Sequence, residues 1–413
     1  MTMGHTEQPQ QRTATGAAGL AERAAELKRH NEWEPLAALA AQVPRDWGAD
    51  WLPAADACAF ALGQLGRCAD ANALLLRAYE IAPTYQRASA LAFIHYDALL
   101  RHKVRKPRLD EPEPYRQAFE RWIAEALRLK PNSLVDRYRL GVYHASIQTR
   151  KDVMALKAFR DVLRLFEAVP AAERTPQHRH WRIYIRALYG AARSAYRLGR
   201  LDEARPWIFR CIRLDRERHH VEPVFKLFLA AKVLVAQGQL VDAERALRLA
   251  LEAPHHGDRD FVYALLADIG LQQDRAGDAA AWIELHIHPH QRKPYVWRLL
   301  GDCEARRGKP ERALKLYKSA LLKDRAGRHK TLLRVGRLAE QVGDRNAARR
   351  AYEQAADFRR RRYLSEDPDA LAALAQLCER QGDLAAARTA YERMARLPAL
   401  AKRAAAELAR LAG

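Results

Sequence analysis

One sequence pattern recurs three times with identical internal spacing. It reads Trp297…Leu300-Gly301…Gly308…Ala313…Tyr317…Ala320, then Leu332…Val335-Gly336…Gly343…Ala348…Tyr352…Ala355, then Leu371…Leu374-Ala375…Gly382…Ala387…Tyr391…Met394. Bulky residues at helical spacing, a glycine that closes the first helix, and alanines on a second helix describe an antiparallel helix pair. One such pair cannot bury its apolar face alone, so the pairs must stack.

Weaker rounds precede these. Leu188…Ala191-Ala192…Gly199…Ala204…Ile208…Cys211 and Phe228…Ala231…Gly238…Ala243…Leu247…Ala250 keep the spacing. Cys58-Ala59…Gly66…Ala71…Leu75…Ala78…Pro83 keeps it near the N-terminus, with a proline that ends the second helix. The round at Leu140-Gly141 has a good first helix, but its second, around Ala158 and Val162, lacks the glycine. Residues 260–288 look one residue short, with Gly277-Asp278-Ala279-Ala280-Ala281 where the turn should fall.

Over nearly its whole length the chain resembles the tetratricopeptide-repeat family, whose period this is. That resemblance implies an all-α fold, a right-handed superhelical α-solenoid of stacked antiparallel helix pairs. A solenoid lengthens without splitting into globular domains, which suits 413 residues rich in Ala, Leu, Arg and Glu. The expected layout is a disordered tail at 1–16, a divergent array at 17–168, a hinge at 169–180, a regular array at 181–398 and a capping helix at 399–413. Residues 102–114 (HKVRKPRLDEPEP) read as a loop insertion, with proline and alternating charge between two apolar helices. No run of eighteen apolar residues and no signal-peptide core appears, so the default address is cytoplasmic.

Enzymatic signatures are missing from the sequence. There is no His-Glu-x-x-His, no Gly-x-Ser-x-Gly and no dinucleotide-binding glycine fingerprint, and Gly301–Lys309 has the wrong spacing for a phosphate loop. The expectation is a non-catalytic chain with no cofactor and no small-molecule substrate. Cys58, Cys211 and Cys378 occupy interior repeat places, Cys303 lies on a first helix and Cys68 in a turn, all expected as free thiols. His286, His288 and His290 alternate without a nearby carboxylate or thiolate; a helix end explains them as well as a metal would, and no metal site is expected.

Charge is the most informative remainder. The formal total of +21 divides into −3 for residues 1–100, +14 for 101–220, −4 for 221–290, +14 for 291–363 and zero for 364–413. In the resembled family, first-helix residues line the concave groove. Those places here are Tyr138, Arg139, Arg186, Tyr189, Arg193, Tyr196, Arg197, Phe225, Phe228 and Lys232, then Tyr295, Arg298, Arg306, Lys330, Arg334 and Arg337. Arginine interleaved with aromatics suits an acidic ligand, through bidentate pairing and cation–π contact. A second basic cluster, Arg359, Arg360, Arg361 and Arg362, stands at a helix end.

The leading expectation is therefore an interaction scaffold that holds an acidic peptide or protein segment in a basic, aromatic-lined groove. The alternative is an RNA- or other nucleic-acid-binding helical repeat, whose affinity would fall steeply with salt. No anchor helix or lipidation motif supports a membrane surface. Reversing Arg334 and Arg337 to Glu is expected to abolish capture with melting nearly unchanged.

Overall fold

Gly308 and Gly343 close the first helices of their pairs with φ of 72° and 85°, a left-handed conformation that costs Gly little. The bend lets the Lys309 N–H reach back to the Glu304 carbonyl at 2.9 Å, and the Asp344 N–H to Ala339 at 2.9 Å. These bonds satisfy carbonyls that a helix end leaves open. Such turns, repeated, organise the computed structural model, which describes residues 16–104, 109–148 and 151–412. The expected tail, apart from Gly16, and the middle of the 102–114 loop lie outside the described residues.

Among the described residues all regular structure is helical. It falls into two compact units, 1–233 and 234–413. The first contains α1 (Ala17–Arg29), α2 (Trp33–Ala38), α3 (Leu52–Gln64), α4 (Cys68–Ile81), α5 (Tyr85–Val104) and α6 (Glu113–Leu129). It continues with α7 (Leu134–Val142), α8 (Asp152–Glu167), α9 (Trp181–Arg197) and α10 (Leu201–Leu214), and the division falls within α11 (Pro223–Ala236). The second unit contains α12 (Leu240–Glu252), α13 (Asp260–Gln272), α14 (Ala276–His286), α15 (Pro294–Arg306) and α16 (Pro310–Lys323). After these come α17 (Arg328–Gln341), α18 (Arg345–Tyr363), α19 (Pro368–Arg380), α20 (Leu384–Ala395) and α21 (Ala401–Ala412).

Within each unit a helix packs on its neighbours in sequence, and first helices also touch the first helix of the next pair: α3 on α5, α7 on α9, α13 on α15, α15 on α17. The alanines explain the close approach. Ala71, Ala204, Ala313, Ala348 and Ala387 are all fully buried at the helix crossings. In the first unit the Phe159 ring on α8 is gripped between two glycines. A Cβ on Gly141 of α7 would come 2.7 Å from that ring, and one on Gly190 of α9 would come 2.6 Å from it. No side chain fits either place without moving the ring, so α7, α8 and α9 interlock there.

Three local readings of the sequence meet a different structure. In the 260–288 round the turn residue is Asp274, at φ 57°, and Gly277 lies inside α14. The Arg275 N–H makes the same back-bond as the glycine turns, to Gly270 at 2.8 Å. Asp, like Asn, tolerates the left-handed region through its short polar side chain; Asn31 does so between α1 and α2 at φ 59°. The described ends of the 102–114 segment are partly helical, because α5 runs to Val104 and α6 begins at Glu113. Residues 169–180 lie inside the first unit. There Phe166 stacks on Tyr184 with centroids 4.4 Å apart and meets His178 edge-on at 5.1 Å.

Cys58, Cys211, Cys303 and Cys378 are buried and free, and Cys68 is half-buried at the start of α4. Burial pushes the Cys58 thiol up to about 11 and the Cys211 and Cys303 thiols up to about 12. They are thiols at any physiological pH and act as small apolar core residues.

Candidate functional site

In the first unit α9 presents a single stripe. Arg186, Tyr189, Arg193, Tyr196 and Arg197 recur at three- and four-residue steps, which place them on one helix face. The opposite face is core, with Ile185, Leu188, Ala191 and Ala195 fully buried. Arg186 donates from Nε to the His220 carbonyl at 3.2 Å. Arg193 donates from Nη2 to Ser146 Oγ at 3.0 Å and leans over the Tyr189 ring, 5.9 Å from its centroid. Its Nε is buried and has no hydrogen-bond partner among the described residues.

Arg197 bonds the Ala145 carbonyl at 3.3 Å and Asp152 at 3.3 Å. Lys232, from α11, sits 4.7 Å from the Tyr196 ring centroid and 5.8 Å from that of Phe228. Among the described residues Asp152 is the one carboxylate within ion-pair distance of Arg193, Arg197 or Lys232. Burial draws both the Arg193 guanidinium and the Lys232 ammonium below their usual ranges, and the Arg197 charge adds to each shift. Two cations thus stand on a half-buried aromatic floor, with Arg197 beside them and one compensating acid.

The same face extends towards α7 and α5. The Tyr138 phenol, raised by burial, feels the charges of Arg186 and Arg193. Arg139 is built into the fold on one side, bonding Asp136 at 2.9 Å and Ser89 Oγ at 3.0 Å. Its guanidinium lies over the Phe93 ring of α5, 4.7 Å from the centroid. Phe225 of α11 belongs to the same predicted set and carries an interaction of its own.

In the second unit three of the predicted cations, Arg298, Arg306 and Arg334, meet carboxylates. Arg298 pairs with Asp324 at 2.5 Å, both nearly buried, and Asp324 also accepts from the Gly327 and Ala326 backbone N–H groups at 2.5 and 3.1 Å. Arg306 reaches Asp274 at 2.7 Å, both exposed. Arg334 holds both oxygens of Asp302 from Nε, at 2.8 and 2.9 Å. Arg337 is exposed and makes no ion pair among the described residues. Arg306, Arg334, Arg337, Tyr317 and Asp302 share a shallow depression of about 240 Å³. Tyr295 lies instead beside Asp258 and Asp260, and burial followed by those two charges raises its phenol. Lys330 lies on α17, where its carbonyl accepts from Arg334 at 3.1 Å. Of the predicted residues in this unit, Arg306, Arg334 and Arg337 therefore share one depression, while Tyr295 stands apart from it.

Arg359, Arg360, Arg361 and Arg362 fall in the last turns of α18. Arg360 pairs with Asp357 at 3.2 Å, and Arg359 approaches Asp367 at 4.0 Å. Arg361 and Arg362 point to solvent. His286 stacks on Tyr263 at 4.1 Å, while the His288 and His290 rings lie 4.4 Å apart. No three His, Cys, Asp or Glu side chains converge to hold a metal ion among the described residues. No helix among them is long and apolar enough to cross a membrane.

Pairing was invisible in the sequence because the acids come from other elements, Asp274 and Asp324 from turns and Asp302 from α15. Lys226 shows the extreme case. One of the cations in the formal charge, it is almost wholly buried, with Nζ 2.7 Å from Asp215 Oδ2 and 2.8 Å from the Asp215 carbonyl. An acid in the turn after a second helix, at Asp215 and again at Asp324, is the signal that could have found these pairs.

No family model matches the chain, and no curated protein matches it. Among solved structures it is similar to a tetratricopeptide-repeat protein from Parabacteroides merdae, at 12% identity and TM-score 0.49 over 67% of this chain and 99% of that one. It is also similar to the APC/C hetero-tetramer Cut9–Hcn1, at 15% identity and TM-score 0.43 over 96% and 83% of the two chains. A third similarity is to yeast Tom70, at 13% identity and TM-score 0.42 over 96% and 94%. The chain's own turns, buried alanines and helix-pair packing define its class. It is a helical-repeat protein built from consecutive antiparallel helix pairs.

Proposed function

We propose that the chain is a non-catalytic interaction scaffold whose first unit captures an acidic protein segment on the α7–α9–α11 face. One observation carries this reading: Arg193 and Lys232 stand over Tyr189, Tyr196 and Phe228, the Arg197 charge acts on both, and Asp152 alone offsets the three. Holding like charges on a half-desolvated floor raises the free energy of the empty surface. A carboxylate there relieves the repulsion and gains charge-assisted hydrogen bonds. The depression around Arg337 in the second unit offers a smaller site of the same kind, because Arg334 and Arg306 already have internal partners.

The test is a titration of the full chain with a fluorescent tetraglutamate peptide. Binding should weaken as salt rises and should be lost in Arg193→Glu/Arg197→Glu, while Arg361→Glu/Arg362→Glu leaves it intact. If a single-stranded oligonucleotide of equal charge binds the same face more tightly, the nucleic-acid reading replaces this one.

A further inference from the structure

An apolar hollow of about 200 Å³ opens on the same unit, between α3 and α5. Ala59, Phe60 and Gly63 of α3 and Ala90, Phe93 and Ile94 of α5 line it. Phe60 is 43% exposed, beside a core of buried alanines. The rim is charged. Lys28 Nζ stands 4.8 Å above the Phe60 ring, and Arg87 grips Asp56 through three contacts of 2.8–3.2 Å. The rim's single acid, Asp56, is thus already neutralised, and Lys28 leaves the mouth cationic.

The hollow adjoins the basic face through Phe93. That ring forms its wall and also carries the Arg139 guanidinium. Tyr96, one turn further along α5, feels the charges of both Arg139 and Arg186. Apolar hollow, Arg139, Tyr138 and the Arg193–Arg197 group therefore succeed one another along adjacent first helices. Small-molecule sites usually need roughly 300–1,000 Å³. This hollow is smaller, suited to one large side chain.

We infer that the hollow between Phe60 and Phe93 receives a single bulky apolar side chain of the acidic segment whose carboxylates lie on Arg193 and Arg197. This rests on the function proposed above and specifies its partner: an extended acidic segment with one apolar anchor. The cationic mouth selects for acidic residues around the anchor and against basic ones. Two steps between helix axes, at about 8–10 Å each, separate α5 from α9. An extended chain covers that span in roughly five or six residues, at about 3.3 Å per residue.

Three labelled peptides test the inference on the full chain: four glutamates alone, and the same run joined through a five-residue Gly/Ser spacer to one Phe at either end. One of the two Phe peptides should bind at least about tenfold more tightly than the run alone, as burial of a large side chain supplies. Ala90→Leu, which fills the hollow, and Phe60→Ala, which removes its wall, should each return that peptide to the affinity of the run. Neither should change binding of the run itself. Equal affinity of all three peptides for the native chain would overturn the anchor and leave the acidic reading standing. So would a Phe gain that persists in both variants. Failure of the run to bind at low salt would overturn the acidic reading instead.

Discussion

The Tyr317 phenol donates a 2.7 Å hydrogen bond to Asp302, the carboxylate that Arg334 holds from the neighbouring first helix. The arrangement recurs. Tyr352 donates to Glu340, which also accepts from Arg380, and Tyr391 donates to Glu379 at 2.7 Å, which accepts from Arg410 at 2.5 Å. A second-helix tyrosine thus fixes a first-helix acid of its own pair, and an arginine from a following helix closes on that acid. The tyrosine also fills the place that glycine leaves open, since a Cβ on Gly301 or Gly336 would run into the Tyr317 or Tyr352 ring. One aromatic residue serves both the crossing within a pair and the junction between pairs.

Arg334 and Arg337 consequently separate in their response to charge reversal. Arg334→Glu sets a carboxylate against Asp302 and should lower the unfolding free energy by about 1–3 kcal/mol. Arg337→Glu should change it by less than about 0.5 kcal/mol, as an exposed residue without a partner. Denaturant titration of the two single variants distinguishes them. Equal, near-zero effects would mean that the Asp302 pair contributes nothing to the fold.

How much was legible follows from what each residue answers to. The turns and crossings were readable because Gly308, Ala313 and Tyr317 each satisfy a local steric demand that repeats with the chain. Asp274 was misread because the left-handed turn accepts Asp or Asn as well as Gly, so that the glycine nearest the turn drew the boundary. Arg298, Arg306 and Arg334 were legible as first-helix residues but not as charges already paired. Whether Arg298 faces a partner or Asp324 depends on helices brought together only by folding. The Phe60 hollow escaped notice because its walls are alanine, glycine and phenylalanine, the same types that build the core.

Lys226 tests the buried pairing directly. Its carboxylate partner Asp215 also accepts the His220 and Val221 N–H groups at 2.8 and 3.0 Å, so the pair fastens the turn between α10 and α11. Lys226→Ala leaves that carboxylate buried without its cation and should cost about 3–5 kcal/mol. Lys232→Ala, on the same helix but half-exposed, should cost less than about 1 kcal/mol. Thermal melts of both variants measure the contrast, and similar losses would refute it.

Glycines that look alike should also diverge. Gly190→Ala drives a methyl into the Phe159 ring and should destabilise by about 1–3 kcal/mol. Gly277 has nothing within 4 Å of the place its Cβ would take, and it lies in α14. Gly277→Ala should therefore stabilise by up to about 0.5–1 kcal/mol through helix propensity alone. Unfolding midpoints shifting in opposite directions would confirm that packing, not backbone conformation, fixes Gly190.

The turn before α13 should carry a pH signature. Asp260 is buried, and burial, followed by its hydrogen bond to Asp258 and that residue's charge, pushes its carboxyl up to about 6. Asp258 moves the other way: hydrogen bonds with Asp260 and the Lys293 charge outweigh its own desolvation and lower it. A folded-state pKa above the unfolded value of about 3.9 means that the folded chain binds more protons, so stability falls as pH rises from about 4 to about 6. The depressed Asp258 acts below that window, where its contribution is lost as pH falls. Asp260→Asn should abolish the loss between about pH 4 and 6 while keeping the acid-side decline. Unfolding free energies measured across that range, taken as the difference between native chain and variant, isolate Asp260 from every other carboxylate. A difference independent of pH would show that Asp260 ionises in the folded chain as it does in the unfolded one.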